Sequence, residues 1–311
     1  MTRQECVDYL KSHDQYLILT HLRPDGDTLG CAAALCHALR RIGKQAWLYR
    51  NPEVTLTYLD MVQPFFLPAG QATETVVSVD VAERHMLARG YEGPVDLSID
   101  HHPKGGSFCA ESIIEPACAA VGELLLELLD MLTGGVDVFE ADALYTALAT
   151  DSGCFRFSNT TADTFRAAAR LTDAGAHIAE LNKKLFRSKS RARMLLEGAI
   201  CASLQSYKDA QLNIAVVTLE MLQTAGAREE DCQDMADLAG MVDTNRVAVT
   251  VRELRKDHCK ISVRTDGSMS AITICQAFGG GGHLMAAGCE IPMAPQDAAQ
   301  AVRKVVEELW V

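Results

Sequence analysis

The first clear pattern along the chain is the run Tyr16–Thr20, YLILT, apolar and without polar interruption. A strand exposed on one face alternates apolar and polar residues, so an unbroken run predicts a strand buried on both faces. From Thr28 to Ile42 the spacing is helical, with small residues at Cys31–Ala34 and a stop at Gly43. Ala46–Tyr49, Thr75–Val81 and Val95–Ile99 read as further strands. Cys118–Leu132 reads as an amphipathic helix and Glu140–Thr150 as an Ala-rich one. Another helix begins at Thr161–Asp163 and runs to a glycine signal at Gly175. Strands alternating with helices predict right-handed βαβ units, hence an α/β domain with a mostly parallel sheet and helices on both faces.

The pattern breaks at Lys183–Arg193, the basic stretch KKLFRSKSRAR, which leads into a helical segment toward Ser206. It then restarts with a strand at Leu212–Thr218, a helical stretch around Glu229–Val242, and strands at Val247–Leu254 and Cys259–Arg264. A Gly-rich loop and a final helix, Gln296–Leu309, follow. Two domains are expected, 1–190 and 191–311, the second a smaller α/β unit that starts with the linker helix. At 311 residues the chain is long for one domain and suits two.

Composition narrows the class. Hydrophobic residues at 48% and charged residues at 23% are ordinary for a globular protein. The longest apolar stretches, such as Leu124–Leu129 and Ile214–Leu219, are far short of a membrane span. The first residues, MTRQEC, have early charge and no apolar signal core, so a cytoplasmic protein without membrane contact is expected. Eleven cysteines form no C-x-x-C pair, and Cys31, Cys36, Cys201 and Cys275 sit among small apolar neighbours. Reduced thiols in a cytosolic interior are the better reading. The net charge of -12 argues against gripping a long nucleic-acid duplex, since phosphate neutralisation supplies most of that affinity. It leaves small phosphate esters open, because bound metal ions invert the field of an acidic site.

The chemistry gathers at element ends. His21-Leu-Arg-Pro-Asp25-Gly-Asp27 follows the YLILT strand directly, where open α/β sheets place their sites. Its aspartates and histidine suit Mn²⁺ or Mg²⁺. Alone, D-G-D would read as a polar loop with a helix cap. Asp80 ends a second apolar strand, Asp100-His101-His102 ends a third, and Asp151-Ser-Gly closes the Ala-rich segment. Any single instance is usually a turn residue or cap. Four at corresponding ends of a sheet-like half point to a metal hydrolase.

Those motifs in order, HLRPDGDTLG, Asp80, Asp100-His101-His102 and Asp151-Ser-Gly, resemble the DHH phosphoesterase superfamily. Phe278-Gly-Gly-Gly-Gly-His283 with Ala286-Ala287-Gly288 is similar to the loop of the DHH-associated C-terminal domain. The resemblance covers nearly the whole chain. It implies two divalent metal ions, Mn²⁺ first and Mg²⁺ as the alternative. One would take His21, Asp25 and Asp80, and the other Asp27, Asp80, His101 and Asp151, with Asp80 bridging. It also implies that His102 faces the substrate and that Asp100 supports the imidazoles as an outer acceptor. Which of the two histidines ligates stays open. Carboxylates so crowded disfavour each other's ionisation, so metal binding is expected to stabilise this domain.

The second domain is expected to recognise substrate, with the active site in the cleft between the two. Gly279–Gly282, including Gly280, Gly281 and Gly282, would let backbone N–H groups approach a phosphate, His283 would add a donor, and Arg264 would make a bidentate contact. The family's usual Arg-Ser pair is Arg264-Thr265 here. For Arg156 and Asn159 a substrate contact and a surface-loop role are both open.

Within the superfamily, exonucleases that track single-stranded DNA are longer, and family II inorganic pyrophosphatases end in a basic substrate segment. Membrane-bound cyclic-dinucleotide phosphodiesterases carry regions ahead of the first motif, which begins here at residue 21. The resemblance therefore points to NrnA-like nanoRNases, which hydrolyse very short RNA and often 3′-phosphoadenosine 5′-phosphate. The alternatives are a cyclic or linear dinucleotide phosphodiesterase and a catalytically silent nucleotide sensor. The partners expected are short RNA or a small nucleotide; a homodimer is left open, since no stripe marks an interface.

Overall fold

The structure, a computed structural model, describes residues 1–103, 105–232 and 235–310. The chain divides into two compact units, Met1–Ser188 and Lys189–Val311.

In the first unit the order is α1 (Arg3–Ser12), β1 (Tyr16–Leu19), α2 (Gly26–Arg41), β2 (Ala46–Leu48), α3 (Leu56–Val62), β3 (Thr75–Val79), β4 (Leu97–Asp100) and β5 (Glu111–Ile114). Then come α4 (Val121–Thr133), α5 (Val138–Asp151), α6 (Ala162–Asp173) and α7 (Ile178–Asn182). The five strands form one parallel sheet, ordered β2-β1-β3-β4-β5. Every residue of β1 and β3 is buried, as their unbroken apolar runs require.

One face of this sheet, with Tyr16, Ile18, Val77, Val79, Leu97 and Ile99, packs on residues of α1, α2, α4 and α5. On the other face Leu17, Leu19 and Val76 meet Tyr49, Leu67, Met86 and Tyr91. Its cover is the 3-10 turn Arg84–Met86 and the loops around it, which corrects the expectation of helices on both faces. The intervening segments there are too short and too rich in turn residues to make an α-helix.

The small residues of α2 have a purpose. A Cβ on Gly30 would stand 2.3 Å from the Ala143 carbonyl oxygen on α5, so only glycine lets these helices approach this closely. That approach carries the start of α2, with Asp25 and Asp27, toward the end of α5, with Asp151.

Some elements leave faint sequence signals. Helix α1 is polar and starts with a capping box from Thr2 to Glu5. Strand β5 lies at the sheet edge and buries only Ile113, so no apolar run announces it.

The second unit runs α8 (Arg191–Ala202), β6 (Gln205–Tyr207), β7 (Leu212–Val217), α9 (Leu219–Ala225), β8 (Val247–Arg255) and β9 (His258–Thr265). It ends with α10 (Ala271–Gln276), β10 (Gly281–Gly282), β11 (Ala286–Ile291) and α11 (Pro295–Leu309). Its sheet is ordered β10-β11-β9-β8-β7-β6, antiparallel except between β7 and β8. In place of a helix around 229–242 there are two 3-10 segments, Glu229–Cys232 and Met235–Met241; residues 233 and 234 lie outside the described residues. Residues of α8 and the second 3-10 segment cover one face of the sheet, and α10 with α11 the other.

Candidate metal centre

Five elements of the first unit converge on one point. His21 follows β1, Asp25 and Asp27 open α2, Asp80 follows β3, and His101 follows β4. Asp151 is the last residue of helix α5, at the end of the Ala-rich segment as its sequence position implied.

Asp25 caps a helix and also faces a histidine. Its Oδ1 caps α2, accepting from the amides of Asp27 at 3.0 Å and Thr28 at 3.3 Å, and lies 3.4 Å from His21 Nε2. Burial raises its carboxyl, but the His21 contact and the two amides outweigh that and hold it below the ordinary carboxylate range.

Asp27 is wholly buried. The amides at the start of α4 hold it, Val121 N at 2.7 Å on Oδ2 and Gly122 N at 3.1 Å on Oδ1, and the Cys31 thiol donates to Oδ1 at 3.2 Å. A helix N-terminus favours the anion there. Burial, and then the Asp151 charge, nonetheless push its carboxyl up to about 7.

Asp80 sits between these groups. It has φ of 57°, a left-handed conformation that an aspartate holds at a cost and that recurs at functional sites. Its Oδ2 lies 3.6 Å from His21 Nε2, and its Oδ1 lies 3.6 Å from His101 Nε2 and 3.6 Å from His102 Nδ1. Oδ1 is buried and has no hydrogen-bond partner among the described residues. Burial first, then the neighbouring aspartates, raise its carboxyl well above the ordinary range. An orphaned buried carboxylate oxygen between two imidazoles fits a site shaped for cations.

The two histidines differ. His101 Nδ1 lies 3.0 Å from the Cys118 carbonyl oxygen, which can only accept, so Nδ1 carries the proton and the Nε2 lone pair is free. That lone pair faces Asp80 and, at 3.7 Å, Asp151 Oδ2. His102 Nδ1 donates to Asp100 Oδ1 at 2.8 Å, and this bond, against burial, raises the His102 imidazole above its ordinary value. Asp100 is fully buried and also accepts from the amides of His101 and His102. Asp100 thus supports one imidazole directly and His101 only through its backbone, because Cys118 already occupies the His101 Nδ1.

Three sets of potential ligand atoms each fall within 4.8 Å: His21, Asp25 and Asp80; Asp27, His101 and Asp151; and Asp80, His101 and His102. The donor set is imidazole nitrogen and carboxylate oxygen, which suits Mn²⁺ or Mg²⁺.

Several supports carry no sequence signal. Asn51, beyond β2, donates to the His21 carbonyl at 2.8 Å, and the Thr28 hydroxyl donates to the Val79 carbonyl at 2.8 Å just ahead of Asp80. Asn159 donates to the carbonyls of Ala119 and Asp151, and Arg156 to that of Gly153, so both brace this loop.

In the second unit Arg264 ends β9, half-exposed, with Nε 3.5 Å from Asp237 Oδ1. The amides of Gly279, Gly280 and His283 already donate to Gln276, Cys275 and Ala286, and Gly281 and Gly282 pair with β11. A Cβ on Gly280 would meet the Gly288 carbonyl oxygen at 2.3 Å. Close packing against β11 by itself requires glycine at Gly280, and the Gly281 backbone is exposed.

A parallel sheet with carboxylates and imidazoles at these positions defines a class, and the comparisons agree. Residues 15–149 match the DHH family, N-terminal domain, and residues 211–310 match the DHHA1 domain. The chain belongs to the DHH family.

Among its relatives is the bifunctional oligoribonuclease and PAP phosphatase NrnA of Thermus thermophilus, 33% identical over 93% of this chain and 87% of that protein. The protein of the same name from Mycoplasma pneumoniae is 25% identical over 99% of this chain and 96% of its own length. The crystal structure of an exopolyphosphatase-related protein from Bacteroides fragilis shares the fold, with a TM-score of 0.81 at 21% identity over 98% of this chain and 95% of that one. Among the described residues no helix is long and apolar enough to cross a membrane.

Proposed function

We propose that this chain is a two-metal phosphoesterase that hydrolyses short oligoribonucleotides and 3′-phosphoadenosine 5′-phosphate, with Mn²⁺ as its working ion. The observation that carries the reading is the Asp80 carboxylate, one oxygen facing His21 and the other facing His101. His21, Asp25 and Asp80 would hold one ion, and Asp27, Asp80, His101 and Asp151 the other. Such a pair supplies a hydroxide near neutral pH and steadies charge on the attacking and leaving oxygens.

The chain's own residues supply the rest. Cys118 fixes the tautomer of His101, and the α4 amides fix the rotamer of Asp27. His102, held by Asp100 and raised toward its protonated form, presents a donor to a phosphate oxygen or a leaving oxygen. In the second unit Arg264 would pair with a substrate phosphate by displacing Asp237. All six expected ligand residues are present, which disfavours a silent sensor. The substrate class follows the named relatives and the acidic surface, which suits a few phosphates better than many.

The test offers the Mn²⁺-loaded protein a diribonucleotide, a pentaribonucleotide, phosphoadenosine phosphate, cyclic dinucleotide and pyrophosphate side by side. Turnover of the first three with little on pyrophosphate is expected. Preference for the cyclic compound would move the substrate assignment to a dinucleotide phosphodiesterase.

A further inference from the structure

The second unit holds a cleft of about 240 Å³ whose lining includes neither Arg264 nor the glycine loop. Its polar wall is Arg246, Ser268, Ser270 and Thr273, and its apolar wall is Met269, Leu309 and Trp310. Arg246 is braced by hydrogen bonds from Nε to the Ser268 hydroxyl at 3.1 Å and from Nη1 to Gln211 Oε1 at 3.4 Å. Its guanidinium lies 5.4 Å from the centre of the Trp310 ring, and Lys208 Nζ lies 5.9 Å from that same centre. Two cations therefore gather over one indole in a chain of net charge -12.

Lys208 is brought there by an unusual turn. Lys208, Asp209 and Ala210 all have positive φ, at 55°, 53° and 61°, and none is glycine. Three consecutive left-handed residues cost free energy that a relaxed hairpin would avoid. On the loop that pairs with Arg246, the Asp266 carboxylate accepts from the amide and hydroxyl of Ser268 and also feels the Arg246 charge. Ser270 Oγ accepts from both the Thr273 amide and the Thr273 hydroxyl, which leaves its own O–H to donate.

We infer that this cleft is a second nucleotide subsite, taking one nucleoside monophosphate unit. The base would lie against Met269, Leu309 and Trp310, the phosphate would pair with Arg246 and Lys208, and Ser270 and Thr273 would serve the ribose or base edge. The volume falls below that of a drug-sized ligand site and suits one such unit. A phosphate can accept from both the Arg246 guanidinium and the Lys208 ammonium. The inference rests on the proposed function, because the same chemistry can arrive as a free mononucleotide product or as the far unit of a longer oligoribonucleotide.

The chain has two tryptophans, so Trp47→Phe leaves Trp310 as the sole indole. That full-length variant is titrated with AMP in EDTA, where no turnover occurs, and Trp310 fluorescence is read. A saturable change is expected, weakened about tenfold or more by Arg246→Ala and several-fold by Lys208→Ala, with adenosine binding at least about tenfold less tightly than AMP. No saturable change at millimolar AMP, or equal affinity in both variants, would overturn the inference. Asp80→Ala should stop hydrolysis and leave the titration unchanged, which separates this inference from the proposed function. With binding established, a loss of kcat/KM in Arg246→Ala for a pentanucleotide alone assigns the site to the substrate's far unit. Unchanged kcat/KM for both dinucleotide and pentanucleotide assigns it to free nucleotide.

Discussion

His102 donates from Nδ1 to Oδ1 of Asp100 at 2.8 Å, while Oδ2 of that aspartate is buried with no hydrogen-bond partner among the described residues. The carboxylate cannot relax toward water, so its charge is spent on the imidazole and on the amides of residues 101 and 102. The bond to Asp100 raises the His102 imidazole above its ordinary value, burial opposing it.

Replacing Asp100 with Asn should therefore lower the His102 titration, read by NMR of the imidazole in metal-free protein. Stability from a raised histidine is fully present below the unfolded value and is lost as pH rises through the folded one. The His102–Asp100 contribution should fade from near pH 6.5 upward and be absent in Asp100→Asn. His102→Ala should lower kcat by roughly 10²–10⁴ with bound metal unchanged.

The metal-free protein should respond to pH in a way set by its crowded carboxylates. Asp27 is raised to about 7, chiefly by burial and then by Asp151, and Asp80 and Asp151 are raised in the same direction. A raised carboxyl binds more protons folded than unfolded, so in EDTA stability should fall as pH climbs from about 4 to about 7. Saturating Mn²⁺ should reverse that trend. Thermal melts at several pH values, with and without metal, check both signs.

Gly30→Ala tests what brings Asp27 and Asp151 together. The new Cβ would meet a backbone oxygen of α5, which cannot rotate away. A loss of about 1–3 kcal/mol is expected, with a Tm lower by several degrees. Mn²⁺ affinity should fall too, since Asp27 and Asp151 belong to one ligand set. Calorimetric titration of Mn²⁺ reads this directly.

Arg264→Ala should raise KM for a dinucleotide at least about tenfold and leave metal content unchanged. Asp237→Asn, which frees the Arg264 side chain of its 3.5 Å partner, should lower KM instead. Steady-state kinetics on both variants separates a substrate contact from a merely structural ion pair.

Much of this centre was legible because its parts sit at ends of strongly patterned elements. β1 and β3 declare themselves by apolar runs, so His21 and Asp80 could be placed beyond them. The Ala-rich helix placed Asp151 at its end, but what brings that end to Asp27 was not legible: the Gly30 contact that carries α2 to α5 pairs residues over a hundred positions apart. The supports from Cys118, Val121 and Gly122 are backbone atoms, which any residue type could supply. Asn51 and the Trp310 cleft depend on tertiary packing of separate elements, for which no local spacing exists. The glycine run was read correctly as a landmark, but the reason at Gly280 is contact with β11.

The most direct test of the account is Mn²⁺-dependent hydrolysis of a diribonucleotide, measured with metal content by wild type and Asp80→Ala. The account predicts two ions per chain and mononucleotide release from wild type, and from the variant a loss of bound metal with kcat lower by at least about 10³. Undiminished hydrolysis by Asp80→Ala, or two ions bound with no release of mononucleotide by wild type, would contradict it.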